Sequence, residues 1–557
     1  MKFSNFKIDT KIETWYNDNK LSAMWNSKNS LKKGGSVMAR KSPSKNVFVL
    51  MLPLQCETWQ RDGLDTIFQV GNDIKNNLIA YEQKQYQNLI SRKDWKANQA
   101  ALSAAYKAED EELIKVLCER RNGLLSNAGF GKYQFEKQIN KYRKHYRGKN
   151  GKGFLVPVHV AQKISASVWA AYEKLLYGNG QQVHFSKWSE FTTITAKANT
   201  TGIRYADGFV SINEMRLRVV FDKKDPYGYQ REAMTRTVRY CGIHRRWYAS
   251  GWKYFVQLTL DGLPPLKTKP DTGELLHPMG EGRVGHDIGT QTIASVGNGV
   301  VLFIELADKV KGIDAELWKL NRAMDRSRRA TNPEMFNKGG TIVSKDKLPA
   351  KCLNHRGRRK WVKSKRYIAL ENLRRELYRR QKEMRIQQHN ELANRLLSFG
   401  NEHYIEEMRF RALAKRTKET KLNRKGKHSR KKRFGKSISN KAPALFASTL
   451  KRKVLNAGGS FQKVDTFSVK ASQFNHLTET YTKKNLCKRW NTMPDGTKVQ
   501  RDLYSAFLIQ NVDDSLKKVD TERCNQFYNS FLNMHDKEIQ RLSLLVTPSS
   551  MGIQHIA

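Results

Sequence analysis

Between Arg283 and Ile304 the chain reads as three apolar strands joined by Gly turns, and an acid, Asp287, lies inside the first. Gly285-His286-Asp287-Ile288-Gly289-Thr290-Gln291-Thr292-Ile293-Ala294 runs strand, tight Gly-Thr turn, strand. Val300-Val301-Leu302-Phe303-Ile304 supplies a third strand after the Gly297-Asn298-Gly299 turn. A carboxylate near the middle of such a meander is costly unless it is paired or binds a cation. An Asp capping a turn would account for the residue equally well, so its weight depends on two later acids. Glu406 ends the short apolar run His403-Tyr404-Ile405, and Asp502 opens the helical run Arg501 to Ile509.

Charge narrows the partner class. Lys and Arg number 102 against 52 Asp and Glu, a formal charge of +50, while 39% of residues remain hydrophobic. A folded chain of this kind calls for a polyanion. No apolar run of about 18 residues and no signal-peptide pattern is visible, so neither a membrane nor secretion is expected. Nucleic acid is the better partner because neutralising phosphates releases counterions. The scale also suits a ~20 bp heteroduplex with roughly 40 phosphates in a positive channel. The six cysteines form no Cys-x-x-Cys pair, which suggests neither a disulfide framework nor a zinc ribbon and points to a cytoplasmic protein with reduced thiols.

Hydrophobic periodicity divides the chain into an α+β multidomain protein. Residues 1–45 read as a basic flexible arm and 46–58 as a single buried strand. Residues 59–178 carry helical spacing, with Leu64, Ile67, Phe68, Ile74 and Leu78 on one stripe. Basic and aromatic residues interleave from Lys141 to Lys149, as on nucleic-acid surfaces, although a solvated charged face has the same composition. From 179 to 265 the period falls to two, which predicts a small antiparallel barrel closed by the strand at 46–58. A Pro- and Gly-rich linker, 266–282, then leads to the acid-bearing region 283–465.

Two stretches of that region are strongly basic. Residues 356–385 hold 13 Lys or Arg in 30 positions, and Ile368, Leu370, Leu373, Leu377, Met384, Leu392 and Leu396 give one apolar stripe. The spacing predicts a long helix from 356 to 399 with a packed face and a phosphate-tracking face, to which Arg356, Arg358, Arg359, Lys360, Lys363, Arg366 and Arg374 belong. Residues 411–436 hold 13 basic residues and one acid, Glu419, and read as a flexible nucleic-acid-contacting loop whose densest point is Arg430-Lys431-Lys432-Arg433. Residues 466–499 are irregular, and 500–557 resume with an amphipathic helix.

A strand-centre Asp, a strand-end Glu and a helical Asp separated by long insertions are the pattern of an RNase H-like metal nuclease. Mg²⁺ prefers carboxylate oxygen, and two ions roughly 3.5–4 Å apart can activate water and stabilise the leaving oxygen of a phosphodiester. Gly285-His286-Asp287-Ile288-Gly289 with Ala294, Ile405-Glu406-Glu407-Met408, and Arg501-Asp502 with Ser505-Ala506 resemble the three RuvC motifs of TnpB nucleases and compact type V CRISPR effectors. The motifs span about 280–515, and order and size extend the resemblance to the N-terminal half. The resemblance implies a wedge barrel with an inserted helical recognition lobe, then an RNase H-like RuvC α/β domain. It implies RNA-guided cleavage of DNA at one site, with Asp287 bridging two Mg²⁺ and Glu406 and Asp502 holding one each. Guide RNA and double-stranded target DNA are the implied partners, and oligomeric state is left open. Glu407 is the rival to Glu406, which is preferred because the family's Glu directly follows the apolar run.

Two departures accompany the resemblance. Where the family carries a zinc ribbon, 466–499 offers only His476 and Cys487, so a zinc-less target-nucleic-acid-binding segment is expected, packed by Phe474, Leu477, Tyr481, Leu486 and Trp490. Tyr504 and Leu508 stand where many relatives have Asn. A transposon-associated TnpB-type nuclease, or an RNA-guided DNA-binding protein with little cleavage, remains the alternative.

Overall fold

A computed structural model of the chain describes residues 46–148, 153–178, 180–355, 357–415, 422, 434–485 and 488–556. The arm expected at 1–45, together with Lys149, Arg356, Leu486, Cys487 and Arg430-Lys431-Lys432-Arg433, lies outside them. The fold is mixed α/β, and the chain divides into two units. One takes residues up to Asp225 with Gln230–Arg246 and Trp252–Pro265; the other takes Pro226–Tyr229, Trp247–Gly251 and 266–557.

The first unit combines helices with a seven-stranded sheet. Strand β1 (Val47–Gln55) alternates outward Val47 and Val49 with buried Phe48, Leu50 and Leu52. It lies between β5 (Met215–Val219) and β7 (Gly251–Asp261), antiparallel to both. Helices α1 (Thr58–Ser91), α2 (Lys93–Ala108), α3 (Glu111–Asn127), α4 (Lys132–Lys144) and α5 (Val158–Leu176) fill the expected helical stretch. The full sheet order is β2 (Thr193–Thr195), β6 (Val238–Tyr248), β7, β1, β5, β4 (Phe209–Ile212), β3 (Ile203–Ala206).

The expected barrel therefore stops short of backbone closure, since β2 and β3 end the sheet without pairing. A side chain spans the gap: Asn199 accepts from the Tyr205 N–H at 2.7 Å and donates to its carbonyl at 3.0 Å, while its own N–H donates to Arg239. Its amide thus substitutes for one residue of strand pairing. Arg245, wholly buried, ties α1 to this sheet. Its guanidinium lies 3.6 Å from the Trp188 ring centre, donates to the Trp188 and Phe191 carbonyls, and reaches Asp65 at 3.4 Å.

The second unit is built on a five-stranded mixed sheet in the order β10-β9-β8-β11-β12. Strands β8 (Arg283–Ile288), β9 (Thr292–Gly297) and β10 (Val300–Glu305) form the expected antiparallel meander. Strand β11 (Glu402–Glu406) adds parallel to β8, and β12 (Ser460–Val464) parallel to β11. Apolar residues alternate between two cores. Ala294, Val296, Phe303, Tyr404 and Val464 face one, with α12 (Arg501–Gln510) and α13 (Thr521–Ser543). Val284, Ile288, Ile293, Leu302 and Ile405 face the other, with the end of α7 (Lys365–Leu397) and α10 (Pro443–Asn456). Helix α6 (Val310–Thr331) packs on α7 through Ile313, Leu317, Leu320 and Leu377. The open edge of β10 is covered where Glu538 of α13 accepts from the Phe303 N–H at 2.7 Å.

Several expectations need correction. Helix α7 begins at Lys365, not 356: Ser364 caps it by accepting from the Tyr367 N–H, and 333–364 forms a small irregular knob around Met335, Leu348 and Cys352. At the front of its apolar stripe Leu370 packs against the cluster shared with α6, while Ile368 and Leu373 are exposed. Of the stretch read as a basic loop, 411–436, the ends fold into α8 (Phe410–Leu413) and α9 (Gly435–Lys441), and 416–421 and 423–433 lie outside the described residues. Helix α12 is buried on every side from Leu503 to Gln510 rather than amphipathic.

Candidate active site

Asp287 lies at the end of its strand rather than the centre, as the penultimate residue of β8. Glu406 is the last residue of β11. The parallel register pairs His403 with Val284 and Ile405 with His286, so Glu406 and Asp287 come side by side at the next step. Strand alternation puts both on the same face, shared with Gly285 and Tyr404. The sheet continues to β9 and β10 on one side of this strand pair and to β12 on the other. Such a switch point, at the carboxyl ends of parallel strands, is where open α/β sheets bind ligands.

Asp502 is brought to the same end by α12. Gly285 permits that approach: a Cβ there would collide with the Ala506 carbonyl and the Gln510 N–H, so only glycine lets the helix lie against β8. Both ends of α12 are tied down. Gln500 caps it by accepting from the Leu503 N–H at 2.9 Å, its own N–H donates to His535 at 3.0 Å, and Arg283 donates to the Gln510 and Val512 carbonyls. Leu503, Phe507, Leu508 and Ile509 are buried, each contributing about 2 kcal/mol of apolar stabilisation. Tyr504, at the position of a family Asn, turns its hydroxyl to His476 at 2.6 Å.

The three acids differ electrostatically. The Asp287 carboxyl is pushed well above its ordinary range, first by burial and then by the charges of Asp502 and Glu406, with Arg501 pulling the other way. Its residue keeps some exposed surface, yet the carboxyl is enclosed enough for desolvation to dominate. Burial raises Glu406 to about 7, opposed by the Ala471 N–H. Asp502 instead accepts from Arg501 at 2.9 and 3.1 Å, with Arg489 3.9 Å away. Among the described residues neither Asp287 nor Glu406 has a Lys or Arg ion-pair partner, in a chain with 102 of them. Glu407, the rival acid, is exposed, and Lys463 at 2.8 Å holds it below the usual range.

Two enclosed, mutually repelling carboxylates with no ion-pair partner among the described residues fit a hard divalent cation. Among the described residues no three acids, histidines or cysteines yet converge as a finished ligand set. Asp502 is turned onto the Arg501 guanidinium.

The opposite face of β8 carries a buried line of neutral histidines. The Gly400 carbonyl can only accept, so His403 donates to it through Nε2 at 3.0 Å, leaving Nδ1 to accept from His286 at 2.9 Å. Nδ1 of His286 then accepts from the Ser295 hydroxyl at 2.8 Å. Burial lowers His403 to about 4 and His286 well below its ordinary value, so both stay neutral and the line bridges β9, β8 and β11 beneath the acids.

The basic elements lie partly as expected. Arg358, Lys360, Lys363 and Arg366 are exposed, with Lys363 paired to Glu371 at 2.9 Å and Arg374 3.9 Å from the same acid. Arg359 instead turns inward and donates to the Val343 carbonyl at 2.8 Å. The stem of the 411–436 loop is anchored beside Asp287. Gln291, in the turn after β8, donates to Ser437 of α9 at 3.1 Å, and Lys441 pairs with Glu305 at 2.8 Å.

Residues 466–499 form α11 (Thr466–Val469) and two small hairpins, β13 (Phe474–Asn475) with β14 (Thr480–Tyr481) and β15 (Trp490–Thr492) with β16 (Lys498–Gln500). Phe474 is buried with the half-exposed Tyr481 ring 4.8 Å from its own, and Trp490 donates to Gly552 at 2.7 Å, but Leu477 is exposed and does not pack as expected. Reading the residues one by one assigns no role to Arg501 or Ala471. Arg501 adjoins Asp502 in the chain and is legible there, whereas the Ala471 N–H reaches Glu406 only through the fold.

No protein-family model and no curated protein matches the chain. Solved structures similar to it include a Cas12f1–sgRNA–target DNA complex, 8% identical, with a TM-score of 0.42 over 84% of this chain and 99% of that one. A CRISPR-Cas12f ternary complex is 12% identical, with a TM-score of 0.21 over 83% and 99%. The mini-RNA-guided endonuclease CRISPR-Cas_phi3 is 12% identical, with a TM-score of 0.26 over 53% and 56%. Likeness this remote says nothing about which residues act, and the site stands on its own geometry.

Proposed function

We propose that this protein is an RNA-guided DNA endonuclease of the type V CRISPR effector class, with an RNase H-like RuvC site formed by Asp287, Glu406 and Asp502. The observation that carries the reading is the placement of Asp287 and Glu406 on neighbouring parallel strand ends at the sheet's switch point, desolvated and, among the described residues, without a Lys or Arg ion-pair partner. The three motifs in order, the strand order and the +50 charge support it.

Asp287 and Glu406 would hold Mg²⁺, and Asp502 would complete the set after parting from Arg501. Bound there, two ions would supply an activated water and charge stabilisation for the leaving oxygen of a phosphodiester. The chain's own residues do the positioning. Gly285 sets the spacing between β8 and α12, the His286–His403 line locks β8 to β11, and the Ala471 N–H steadies the charged form of Glu406. Raised carboxyl values mean that loading the site releases protons.

Substrate handling follows from charge and exposure. The basic loop, rooted on either side of the acids, would hold the entering strand, while the exposed face of 358–366 tracks phosphates. Phe467, 77% exposed on α11 just past β12, offers its ring to an unpaired base. Guide RNA pairing would displace the non-target strand, which is cut first, and the target strand follows through the same site. No described helix is long and apolar enough to cross a membrane. The test is cleavage of double-stranded DNA by RNA-loaded protein with Mg²⁺. Asp287→Ala, Glu406→Gln and Asp502→Asn are each expected to abolish cutting while RNA and DNA binding persist. Cutting of one strand by Asp287→Ala would refute the single-site scheme.

A further inference from the structure

The first unit carries a groove that its charge does not explain. Helix α1 buries Leu64, Ile67, Phe68, Ile74 and Leu78 on one stripe and exposes another. On the exposed stripe Ala80, Gln83, Lys84, Gln87 and Asn88 line a groove of about 610 Å³, and Phe185 forms the remaining wall. Steps of three and four residues stack these side chains on one face of the helix. Phe185 is 54% exposed, yet its backbone is pinned through the next residue. Asn76, one turn before Ala80, donates to the Ser186 carbonyl at 2.9 Å and accepts from the Ser186 N–H at 2.8 Å. That pair of hydrogen bonds holds the Phe185 segment against α1, and Ala80, with only a methyl group, leaves the space open. Among the described residues no hydrogen bond, ion pair or ring contact engages the side chains of Gln83, Lys84, Gln87, Asn88 or Phe185.

A face that only tracks phosphates would show Lys and Arg, of which the chain has 102. Here a single cation stands among three uncharged amides, and no acid lines the groove. Amides suit the edges of bases, because each presents a donor beside an acceptor, and Asn or Gln can bond both N6 and N7 of adenine. An aromatic ring next to them supplies the stacking face that an unpaired base takes. A merely solvated helix face needs neither an aromatic wall nor a clamp to hold it. We propose that this groove binds an unpaired adenine of a single-stranded nucleic acid. The base stacks on Phe185, its edge meets Gln83 and Gln87, and the adjoining phosphate meets Lys84. Asn76 is a positioning residue, since it acts through Ser186. The inference goes beyond the nuclease reading, because it concerns the first unit and involves none of the three acids.

The test is competition binding to the full-length protein with short single-stranded RNAs that differ at one central base, and with their DNA counterparts. Base preference is the readout, because phosphate contacts elsewhere on a basic surface hold every strand alike. The wild type is expected to prefer adenine over uracil, or thymine in DNA, by about tenfold, the size of one bidentate contact. The larger preference, in RNA or in DNA, identifies the strand that supplies the base. Gln83→Leu combined with Gln87→Leu should abolish the preference while the uracil strand binds as before. Phe185→Ala should weaken the adenine strand about tenfold, and Phe185→Trp should restore it. Lys84→Gln should weaken all strands alike and leave the preference in place. Every substituted side chain is exposed, so the buried stripe that folds α1 is untouched. No adenine preference in the wild type, or one that survives intact in the Gln83 and Gln87 double variant, overturns the proposal, as does unchanged adenine binding by Phe185→Ala. Failure of the nuclease reading shows separately, as cleavage that survives Asp287→Ala, and leaves the base preference where it was.

Discussion

Glu406→Gln should stabilise the metal-free protein while destroying its activity. Burial raises this carboxyl from 4.5 to about 7, so the folded state resists a charge that the unfolded chain accepts freely. A carboxyl raised on folding contributes stability below its unfolded value and loses that contribution as pH climbs through the folded value. Wild-type protein without metal should therefore weaken between about pH 5 and pH 8. The gap between 4.5 and about 7, at about 1.36 kcal/mol per pH unit, sets an upper limit of about 3 kcal/mol above pH 8. Coupling to Asp287 shares that cost, so a gain of about 1–3 kcal/mol is expected for the variant at pH 8 and little at pH 5. Urea unfolding in the presence of a chelator, at both pH values, reads the difference. Added Mg²⁺ should raise the wild-type midpoint more than the variant's, since metal supplies the missing counter-charge. An equal gain at both pH values, or a loss at pH 8, would refute the desolvated-carboxylate account.

Gly285→Ala should cost about 1–3 kcal/mol and slow cleavage without weakening RNA binding, because the new methyl displaces α12 and with it Asp502; thermal melts with parallel cleavage assays check this, and unchanged turnover would mean the helix spacing does not matter. Replacing Arg358, Lys360, Lys363 and Arg366 with Gln should flatten the salt dependence of nucleic-acid binding, lowering the slope of log affinity against log salt by up to about 3. An unchanged slope would remove this face from the phosphate contacts. Elemental analysis should find no stoichiometric zinc, since His476 and Cys487 cannot supply the four ligands of a structural site; one zinc per chain would overturn that expectation.

Local chemistry made much of the second unit legible. Alternation of apolar residues marks β8, β9 and β10, a Gly turn joins each pair, and the apolar run before Glu406 marks β11, because strand pattern and turn residues act over a few positions. The acids stand out for a similar reason, as costly residues in apolar settings. Helix boundaries were less legible. The excess of Lys and Arg at 356–364 resembles the helix that follows it, yet a cap at Ser364 and a small core around Met335 keep it apart. Exposure of Ile368 and Leu373 was likewise invisible, since a stripe of apolar residues does not say whether a partner covers it.

Sequence alone determined which residues are charged, apolar or turn-forming, and so which acids could matter and that a polyanion is the expected partner. Tertiary structure decided which of them meet. Parallel register set Glu406 beside Asp287 rather than Glu407, because a strand shows one face to each layer and a single step reverses it. Close approach of α12 at Gly285 carried Asp502 to the same end across more than two hundred residues. The pairing of Asp502 with Arg501, and the difference between a carboxylate starved of counter-charge and one already supplied, depend on distances and burial that no local pattern encodes.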